Sequence, residues 1–361
     1  MAYNEKHNTK KAYLQDAERT PGMAAVSLYR AEGPDDDIAG PSPISALVAG
    51  QIPGAQGTES PGYLEILAKG VQDEATLKLD ETCSPGYFIL GQCDNGHHFA
   101  KEVLCGREWC RVCGEDDSVA HKRRVARWLP RAQQISSMGY FVFTLPLHIR
   151  QLYRTREKLN LLTKQLTAGD KSKHIVGLLK SMGFERGLCR WHWFGDKSVK
   201  YHPHLNVIVD GSYISPEQLD AIKVAWAQLL GVGVADVFYE YTDEPGKMFH
   251  ILKYVTRATF HKLEWDEWLA AHIYRFRNMR VWGEWGHLNK EGVWVGQLPV
   301  WQVHGRDKLP EIAELEAGRC PICKTEIHWH DKPLPMPYLR AWGDAGMALP
   351  LGAKYWQLPG D

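Results

Sequence analysis

Apolar positions follow the two-residue period of strands and the 3.6-residue period of helices in turn through the middle of the chain. Residues 140–145 (YFVFTL) are aromatic or β-branched and end at Pro146, which predicts a strand. Further strands are predicted over 188–194, 201–209 and 234–241, and a turn at 195–197 joins the first two. The pattern therefore indicates a sheet built partly from a hairpin.

Helical patterns separate these strands and cover about 150–182, 215–230 and 247–259. The second helix has a clear start, because Ser215 caps it, Pro216 suits its first turn and Gln218 completes a capping box. Gly231 ends it. Strands joined partly through a hairpin and separated by helices predict an α+β fold, with a central antiparallel sheet flanked by helices.

The chain divides into four predicted segments. Residues 1–60 are rich in Gly, Pro, Ala and Ser without a sustained period, which is typical of a poorly ordered N-terminal arm. A zinc-binding and basic module is predicted over 80–130 and the α+β domain over 135–262. A C-terminal extension with a second Cys/His cluster follows over 263–361.

The composition excludes several classes of protein. With 361 residues, 44% of them hydrophobic and 24% charged, the chain can bury a core and is not wholly disordered. Its apolar run at 140–145 is far shorter than the roughly 20 residues of a membrane helix, and residues 1–16 lack the apolar stretch of a secretory signal. We therefore expect a cytoplasmic protein with no membrane partner. Lys plus Arg equals Asp plus Glu at 43 each, so net charge neither favours nor excludes nucleic acid.

Most of the eight cysteines lie in two short clusters, which predicts metal sites. Disulfides are not expected, because a cytosol keeps thiols reduced. In the first cluster, Cys105, Cys110 and Cys113 follow Cys93, which gives four thiolates suited to a tetrahedral structural Zn²⁺. The alternatives for the fourth ligand are His97, His98 and Cys83.

The second cluster predicts a second structural Zn²⁺ site. Cys320 and Cys323 form one knuckle, and His328 and His330 complete the ligand set. The two halves are close in sequence, so a distant residue such as His304 is an alternative to one of these histidines.

A basic stretch without acidic residues, 119–131, follows the first cluster. Its Lys122, Arg123, Arg124 and Arg127 are candidates for phosphate contacts with DNA, which would make binding steeply salt-dependent. The alternative is a solvated helix face.

The pair His202 and His204 is two residues apart on a predicted strand, so both side chains project from one face and suit a shared divalent ion. Pro203 between them favours an edge strand or a bulge. His192, on the neighbouring predicted strand, is the candidate third ligand. The alternative is a pair of exposed histidines on an edge strand.

The helix at 247–259 carries the second part of this chemistry. His250, Tyr254 and Arg257 share one helical face. A tyrosine with a pKa of about 10 is a poor nucleophile until a cation stabilises its phenolate, and Lys253 and Arg257 are candidates for that cation. The alternative for Tyr254 is an ordinary residue of an amphipathic helix.

The order of these motifs resembles that of the HUH-type rolling-circle replication initiators, and among them the replication proteins of small bacterial plasmids. The likeness covers about 83–260. It consists of the cysteine knuckle at 105–113 with basic residues after it, the strand at 141–145, the His-Pro-His motif at 202–204 and the tyrosine helix around 253–257.

The resemblance implies an HUH endonuclease domain that nicks single-stranded or hairpin origin DNA of a plasmid or phage in a prokaryotic cell. Tyr254 falls on the nicking tyrosine, which forms a 5′-phosphotyrosyl link and leaves a free 3′-hydroxyl. His202 and His204 fall on the pair that holds Mg²⁺ or Mn²⁺. His192 stands where many relatives have glutamate, and a third imidazole favours Mn²⁺.

Two further departures from the family pattern concern the tyrosine helix. His250 stands where relatives have a second tyrosine or a glutamate, so the chain is similar to the single-tyrosine type. His250 is then a candidate base for the closing step, or alternatively a contact to phosphate or to the metal ligands. Arg257 replaces the commoner lysine and keeps the charge.

Two alternatives stay open. One is a single-strand DNA transposase with the same chemistry, and the other is a zinc-containing DNA-binding regulator without catalysis. The chain has no Gly-x-x-x-x-Gly-Lys loop, so an initiator would depend on a host helicase as well as on the host polymerase.

Overall fold

The structure is a computed structural model that describes most of the chain from residue 86 to residue 359. The described residues are 86–105, 107, 110, 117–170, 175–195, 200–260, 267–273, 276–286, 288 and 309–359. The predicted arm at 1–60 lies outside them, as do Cys83, Cys113 and His304. None of the helices in these ranges is long and apolar enough to span a bilayer.

The elements alternate between strands and helices as follows. The strands are β1 (Tyr87–Cys93), β2 (His98–Glu102), β3 (Met138–Thr144), β4 (Gly169–Asp170), β5 (Ile175–Val176), β6 (Gly187–His192), β7 (His204–Asp210), β8 (Val237–Thr242), β9 (Met279–Trp282), β10 (Ile327–Trp329), β11 (Leu334–Pro335), β12 (Leu349–Gly352) and β13 (Tyr355–Leu358). The helices are α1 (Val119–Ala132), α2 (Arg156–Leu166), α3 (Leu178–Ser181), α4 (Pro216–Leu230), α5 (Pro245–Thr256), α6 (Glu267–Ile273), α7 (Leu309–Glu316) and α8 (Met336–Asp344), with a 3₁₀ turn at Leu147–Leu152.

The central sheet is antiparallel and has the order β8-β3-β7-β6-β9. The α+β architecture is thus confirmed. The prediction of an edge position for the His-Pro-His strand is wrong, since β7 is the middle strand. Pro203 does not interrupt this middle strand, because β7 begins one residue later, at His204. Pro203 has no backbone N–H, but its position outside β7 requires no hydrogen bond to a neighbouring strand.

The helix predicted over 150–182 is broken in the structure into the 3₁₀ turn, α2, the short β4–β5 hairpin and α3. The chain leaves the helical region at Thr167 and turns at Gly169, whose φ is +83°. By contrast, α4 has the predicted cap: Ser215 and Gln218 form a capping box, and Gly231 ends the helix in the left-handed region.

A second sheet joins the two ends of the described chain. Its order is β10-β1-β2-β13-β12, with β11 paired to β1. The predicted boundaries are therefore crossed: β1 and β2 of the segment 80–130 share one sheet with β10 to β13 of the segment 263–361. Strand β9 also lies beyond the predicted end of the central domain at 262, yet it pairs with β6 at the edge of the central sheet.

Two apolar cores cover the faces of the central sheet. On one face, the inward residues of β7 pack with α2 and α4, and Trp226 and Leu162 lie among them. On the other face, α1 and α5 pack against Ile208 and Leu188, and this core continues to Tyr355 of the second sheet. Because β7 is buried on both sides, its polar residues lie inside the protein.

Buried charges connect α1 to the second sheet and α7. Arg127 donates to the Glu316 carboxylate at 2.7 Å, and Tyr355 donates to the same carboxylate at 2.6 Å. Arg123 donates to the backbone carbonyls of Ala353, Glu102 and Lys354 at 2.8 to 2.9 Å. Burial alone would raise the pKa of Glu316, but Arg127, Lys101 and Arg123 lower it to about 2.

We expect Glu316→Gln to destabilise the protein by about 3 kcal/mol at pH 7, because it leaves Arg127 and Arg123 without their buried counter-charge. The folded-state pKa lies below the ordinary value of 4.5. The carboxylate therefore stabilises the fold above about pH 5 and loses this effect as the pH falls towards 2.

Urea unfolding of both proteins at several pH values measures this difference. Glu244→Gln is the matched control, since its ion pair with Lys247 is exposed and should contribute less than about 1 kcal/mol. A Glu316→Gln protein as stable as the parent at pH 7 would contradict the assignment.

Candidate metal centre and tyrosine site

Four potential metal ligands converge between the two ends of the described chain: Cys93, His97, Cys320 and Cys323. Their ligand atoms all lie within 4.8 Å of one another. Cys93 Sγ is 3.3 Å from His97 Nδ1 and 3.5 Å from Cys323 Sγ, and Cys320 Sγ is 3.6 Å from His97 Nδ1. A tetrahedral Zn²⁺ with bonds of about 2.0 to 2.3 Å requires ligand separations of about 3.5 Å, so this set fits a structural Zn²⁺.

The turn at 320–325 is built to present two sulfurs to one point. The amide of Cys323 approaches Cys320 Sγ at 3.5 Å, and the amide of Cys320 donates to the Thr325 carbonyl at 2.8 Å. Lys324 completes the turn with a φ of +62°. Burial alone would raise the pKa of the Cys323 thiol, but hydrogen bonds from Thr325 lower it to about 5, which favours the thiolate that a metal binds.

The structure corrects the predicted grouping of the zinc ligands. Two predicted sites become one, in which Cys93 and His97 of the β1–β2 hairpin meet Cys320 and Cys323. His328 lies outside the group and contacts Asp94 Oδ1 at 3.0 Å, and His330 also lies outside it. The reason is the pairing of β1 with β10, which places Cys93 opposite Ile327 and next to the knuckle.

The other cysteines of the first predicted site are elsewhere. Cys105 and Cys110 are buried together beside Ala120 at the start of α1. Cys113 lies outside the described residues, so its predicted role as a ligand is untested.

The three histidines of the second predicted metal site lie at one end of the central sheet. His192 of β6 is directly opposite His204 of β7, and their ring centroids are 5.3 Å apart. The His202 ring is 5.6 Å from that of His204. The three therefore come together as predicted, but His202 lies just before β7 rather than on it, and their ligand nitrogens do not meet the 4.8 Å separation that the cysteine group meets.

Backbone carbonyls select the tautomer of two of these histidines. His192 Nε2 lies 3.1 Å from the Val255 carbonyl, and His204 Nδ1 lies 2.9 Å from the His202 carbonyl. Each of these nitrogens must carry the proton, so the other ring nitrogen keeps its lone pair. Burial, and then the charge of Arg150, lowers the pKa of His202 to about 3, while burial and His204 hold the pKa of His192 well below 6.5. Neutral imidazoles are the form that binds a metal.

Tyr254 of α5 lies beside the histidines. Its ring centroid is 5.5 Å from that of His192 and 6.4 Å from that of Tyr140 on β3. The guanidinium of Arg257 lies 4.7 Å from the centre of the Tyr254 ring. The predicted cation next to the tyrosine is therefore present in Arg257.

Lys253 and His250 are the other predicted residues of this helix, and their surroundings differ from those of Arg257. The Lys253 ammonium pairs with Asp117 at 2.8 Å, on the side of α1. His250 lies one turn before Tyr254, as predicted, and is exposed to solvent.

The last turn of α5 is held by donors from other elements. Carbonyls at a helix C-terminus lack partners within the helix. Four of them accept from neighbouring side chains: Lys253 from His121 at 2.9 Å, Val255 from His192 at 3.1 Å, Thr256 from Arg124 at 2.6 Å and Arg257 from Arg190 at 3.2 Å. These contacts fix the segment that carries Tyr254 against α1 and β6.

The predicted DNA-binding residues of α1 are used inside the protein. Arg123 and Arg124 are 5% and 7% exposed, and their guanidinium groups bond backbone carbonyls. Arg127 pairs with Glu316. Lys122 is half-buried. The basic stretch thus connects elements of the fold, because its charges meet carbonyls and a carboxylate that are far away in sequence.

One buried polar residue at this site, Asn206, was not predicted from the sequence. Asn206 is fully buried, and its Oδ1 accepts from the Tyr140 hydroxyl at 2.6 Å. Asn206 Nδ2 has no partner among the described residues. The available signal was spacing, since Asn206 follows His204 by two residues and so lies on the same face of β7.

Comparison of the chain with protein-family models, with curated proteins and with solved structures finds no match.

We expect Cys320→Ser to lower the zinc content of the purified protein by about one equivalent per chain and to lower its melting temperature by more than about 5 °C, because the metal joins distant parts of the chain. Elemental analysis and thermal unfolding measure the two effects. His328→Ala is the matched control, since this histidine is exposed and outside the ligand group. Loss of zinc in His328→Ala, with none in Cys320→Ser, would contradict the ligand set.

Proposed function

We propose that the protein is a metal-dependent, single-tyrosine nickase of the HUH type, which cleaves and rejoins single-stranded DNA to start rolling-circle replication of a plasmid or phage. The observation that carries this proposal is the position of the Tyr254 ring, 5.5 Å from His192, which is itself paired with His204. The guanidinium of Arg257, 4.7 Å from the centre of the Tyr254 ring, supplies a cation beside the same side chain.

The donor set fits a divalent cation with a preference for nitrogen. His192, His202 and His204 supply imidazole nitrogens, and a site with three imidazoles favours Mn²⁺ and the later transition metals over Mg²⁺. Bound there, the ion would polarise the scissile phosphate. The carbonyls of Val255 and His202 orient two of the three rings for this role.

The chain's own residues account for the remaining chemistry. The Tyr254 hydroxyl gives its proton to water, its oxygen attacks phosphorus, and the bond from phosphorus to the 3′ oxygen breaks. That oxygen takes a proton from water and leaves as a 3′-hydroxyl. Arg257 stabilises the negative charge beside the ring. His250, exposed one turn earlier, is suited to exchange protons with water in the closing step. One phosphodiester is exchanged for another, so no ATP is consumed.

The DNA partner under this proposal is an origin strand that is unpaired or forms a hairpin. A host helicase unwinds the duplex, and the host polymerase extends the 3′-hydroxyl. The zinc group of Cys93, His97, Cys320 and Cys323 has four protein ligands, which leaves no open position for a substrate, and it serves the fold. A non-catalytic regulator would leave the contacts of Tyr254 with His192 and Arg257 as a coincidence, which favours the nickase.

We expect the protein, incubated with Mn²⁺ and a single strand that contains the replicon's origin hairpin and carries a label at its 3′ end, to become covalently labelled on a denaturing gel. Tyr254→Phe should abolish the labelled band, because the phenyl ring has no nucleophilic oxygen, and His202→Ala should reduce it by at least about 100-fold. Tyr213→Phe, on an exposed tyrosine, is the control and should label normally. Labelling that survives Tyr254→Phe would contradict the proposal.

The two cations of the tyrosine helix should differ in importance. Arg257→Ala should slow nicking by about 100-fold, because Arg257 lies against the Tyr254 ring. Lys253→Ala should change the rate by less than about threefold, because Lys253 pairs with Asp117 and its charge is partly exposed. Single-turnover rates measure both effects, and Arg257→Lys tests whether a charge alone restores activity. A larger loss in Lys253→Ala than in Arg257→Ala would overturn this assignment.

A further inference from the structure

We propose that the phenyl ring of Phe238 is a stacking platform for a base of single-stranded DNA next to the scissile phosphate. This inference rests on the proposed function and names a substrate contact for the same site.

Phe238 stands out first by its place in the sheet. It belongs to β8, an edge strand of the central sheet, and its side chain is 43% exposed. It pairs with Val142, which in turn pairs with Asn206. Because residues of a cross-strand row share a face, Phe238 lies on the face that carries the histidines and α5.

An unbroken line of rings leads from Phe238 to the proposed nucleophile. The Tyr140 ring lies 6.4 Å from Phe238 and 6.4 Å from Tyr254, each in an edge-to-face arrangement. Two ring contacts therefore separate the exposed phenyl from Tyr254, which brings it within reach of a nucleotide flanking the attacked phosphate. Tyr140 is 6% exposed, so the line of rings runs beneath the surface and joins the exposed ring of Phe238 to the tyrosine site.

A nucleobase is the partner that the exposed ring of Phe238 favours. The nicked strand must be unpaired where Tyr254 attacks it, and its bases then have open faces to stack. Stacking on an aromatic side chain contributes about 1 to 3 kcal/mol per base and tolerates any sequence. The other possible occupant of an edge strand is a second copy of this chain, which the experiment below tests as well.

The strand β8 offers its own control. Tyr241 is 50% exposed, but it is an odd number of residues from Phe238 and so lies on the opposite face, against Tyr213. Tyr241→Ala removes a similar exposed ring from the same edge without touching the proposed platform.

The experiment measures binding without cleavage, in the full chain carrying Tyr254→Phe. Its probes are a fluorescent 20-mer of thymidylate and an abasic 20-mer of equal length and charge, each titrated with the parent, Phe238→Ala, Phe238→Trp and Tyr241→Ala. Phe238→Ala should weaken thymidylate binding by about tenfold and leave abasic binding unchanged. Phe238→Trp should bind thymidylate at least as tightly as the parent, and Tyr241→Ala should stay within about twofold.

Equal effects of Phe238→Ala on both probes, or no effect on either, would overturn the stacking role, as would a parent that does not bind thymidylate. A parent that is dimeric, with a monomeric Phe238→Ala protein, would assign β8 to an interface between copies instead. Failure of the nickase proposal is separate: stacking on Phe238 with no covalent product at any origin would remove the role of Tyr254 and keep the platform.

Discussion

The carbonyls at the end of α5, which need donors from outside the helix, are the constraint on which the tyrosine site depends. A helix leaves its last carbonyls without internal donors, and burying them unpaired would be costly. Here the donors come from α1 and β6, through His121, Arg124, Arg190 and His192. His192 therefore does two things at once: its Nε2 holds the helix, and its ring lies against Tyr254. The position of the tyrosine and the orientation of a predicted metal ligand come from the same hydrogen bond.

This arrangement also requires the register between β6 and β7. His192 is opposite His204, and the next inward pair is Arg190 opposite Asn206. A slip of one residue would turn these polar side chains towards Trp226 and Leu162 and bring apolar residues to the place of the histidines. Since β7 is covered on both faces, neither core tolerates the slip. The histidine cluster is thus specified by apolar packing on the far side of the sheet as much as by the histidines.

Sequence patterns were sufficient where structure is decided locally. The strand at 140–145, the capping box of Ser215 and Gln218, and the shared neighbourhood of His192, His202 and His204 follow from period and spacing. Sequence patterns gave wrong predictions where a residue contacts a partner that is far away along the chain. Arg123 and Arg127 suggested DNA contacts because nothing near them in sequence marks Glu316 or the Ala353 carbonyl as their partners. Cys93 and Cys323 were assigned to separate sites for the same reason, since only the pairing of β1 with β10 brings them together. Whether the sheet carries an HUH nickase stays a prediction.

The distance along the chain between the two halves of the cysteine site has a consequence for synthesis. Cys93 and Cys323 are 230 residues apart, and β2 pairs with β13 near the other end of the described chain. At about 5 to 20 residues per second, a ribosome needs roughly 10 to 50 s to deliver the second half. During that interval the β1–β2 hairpin carries Phe99 and two metal ligands without their neighbours, while the strands of the central sheet emerge and can already pair. The second sheet is therefore the late-folding part of this protein, and the metal can complete its coordination only after most of the chain has left the ribosome.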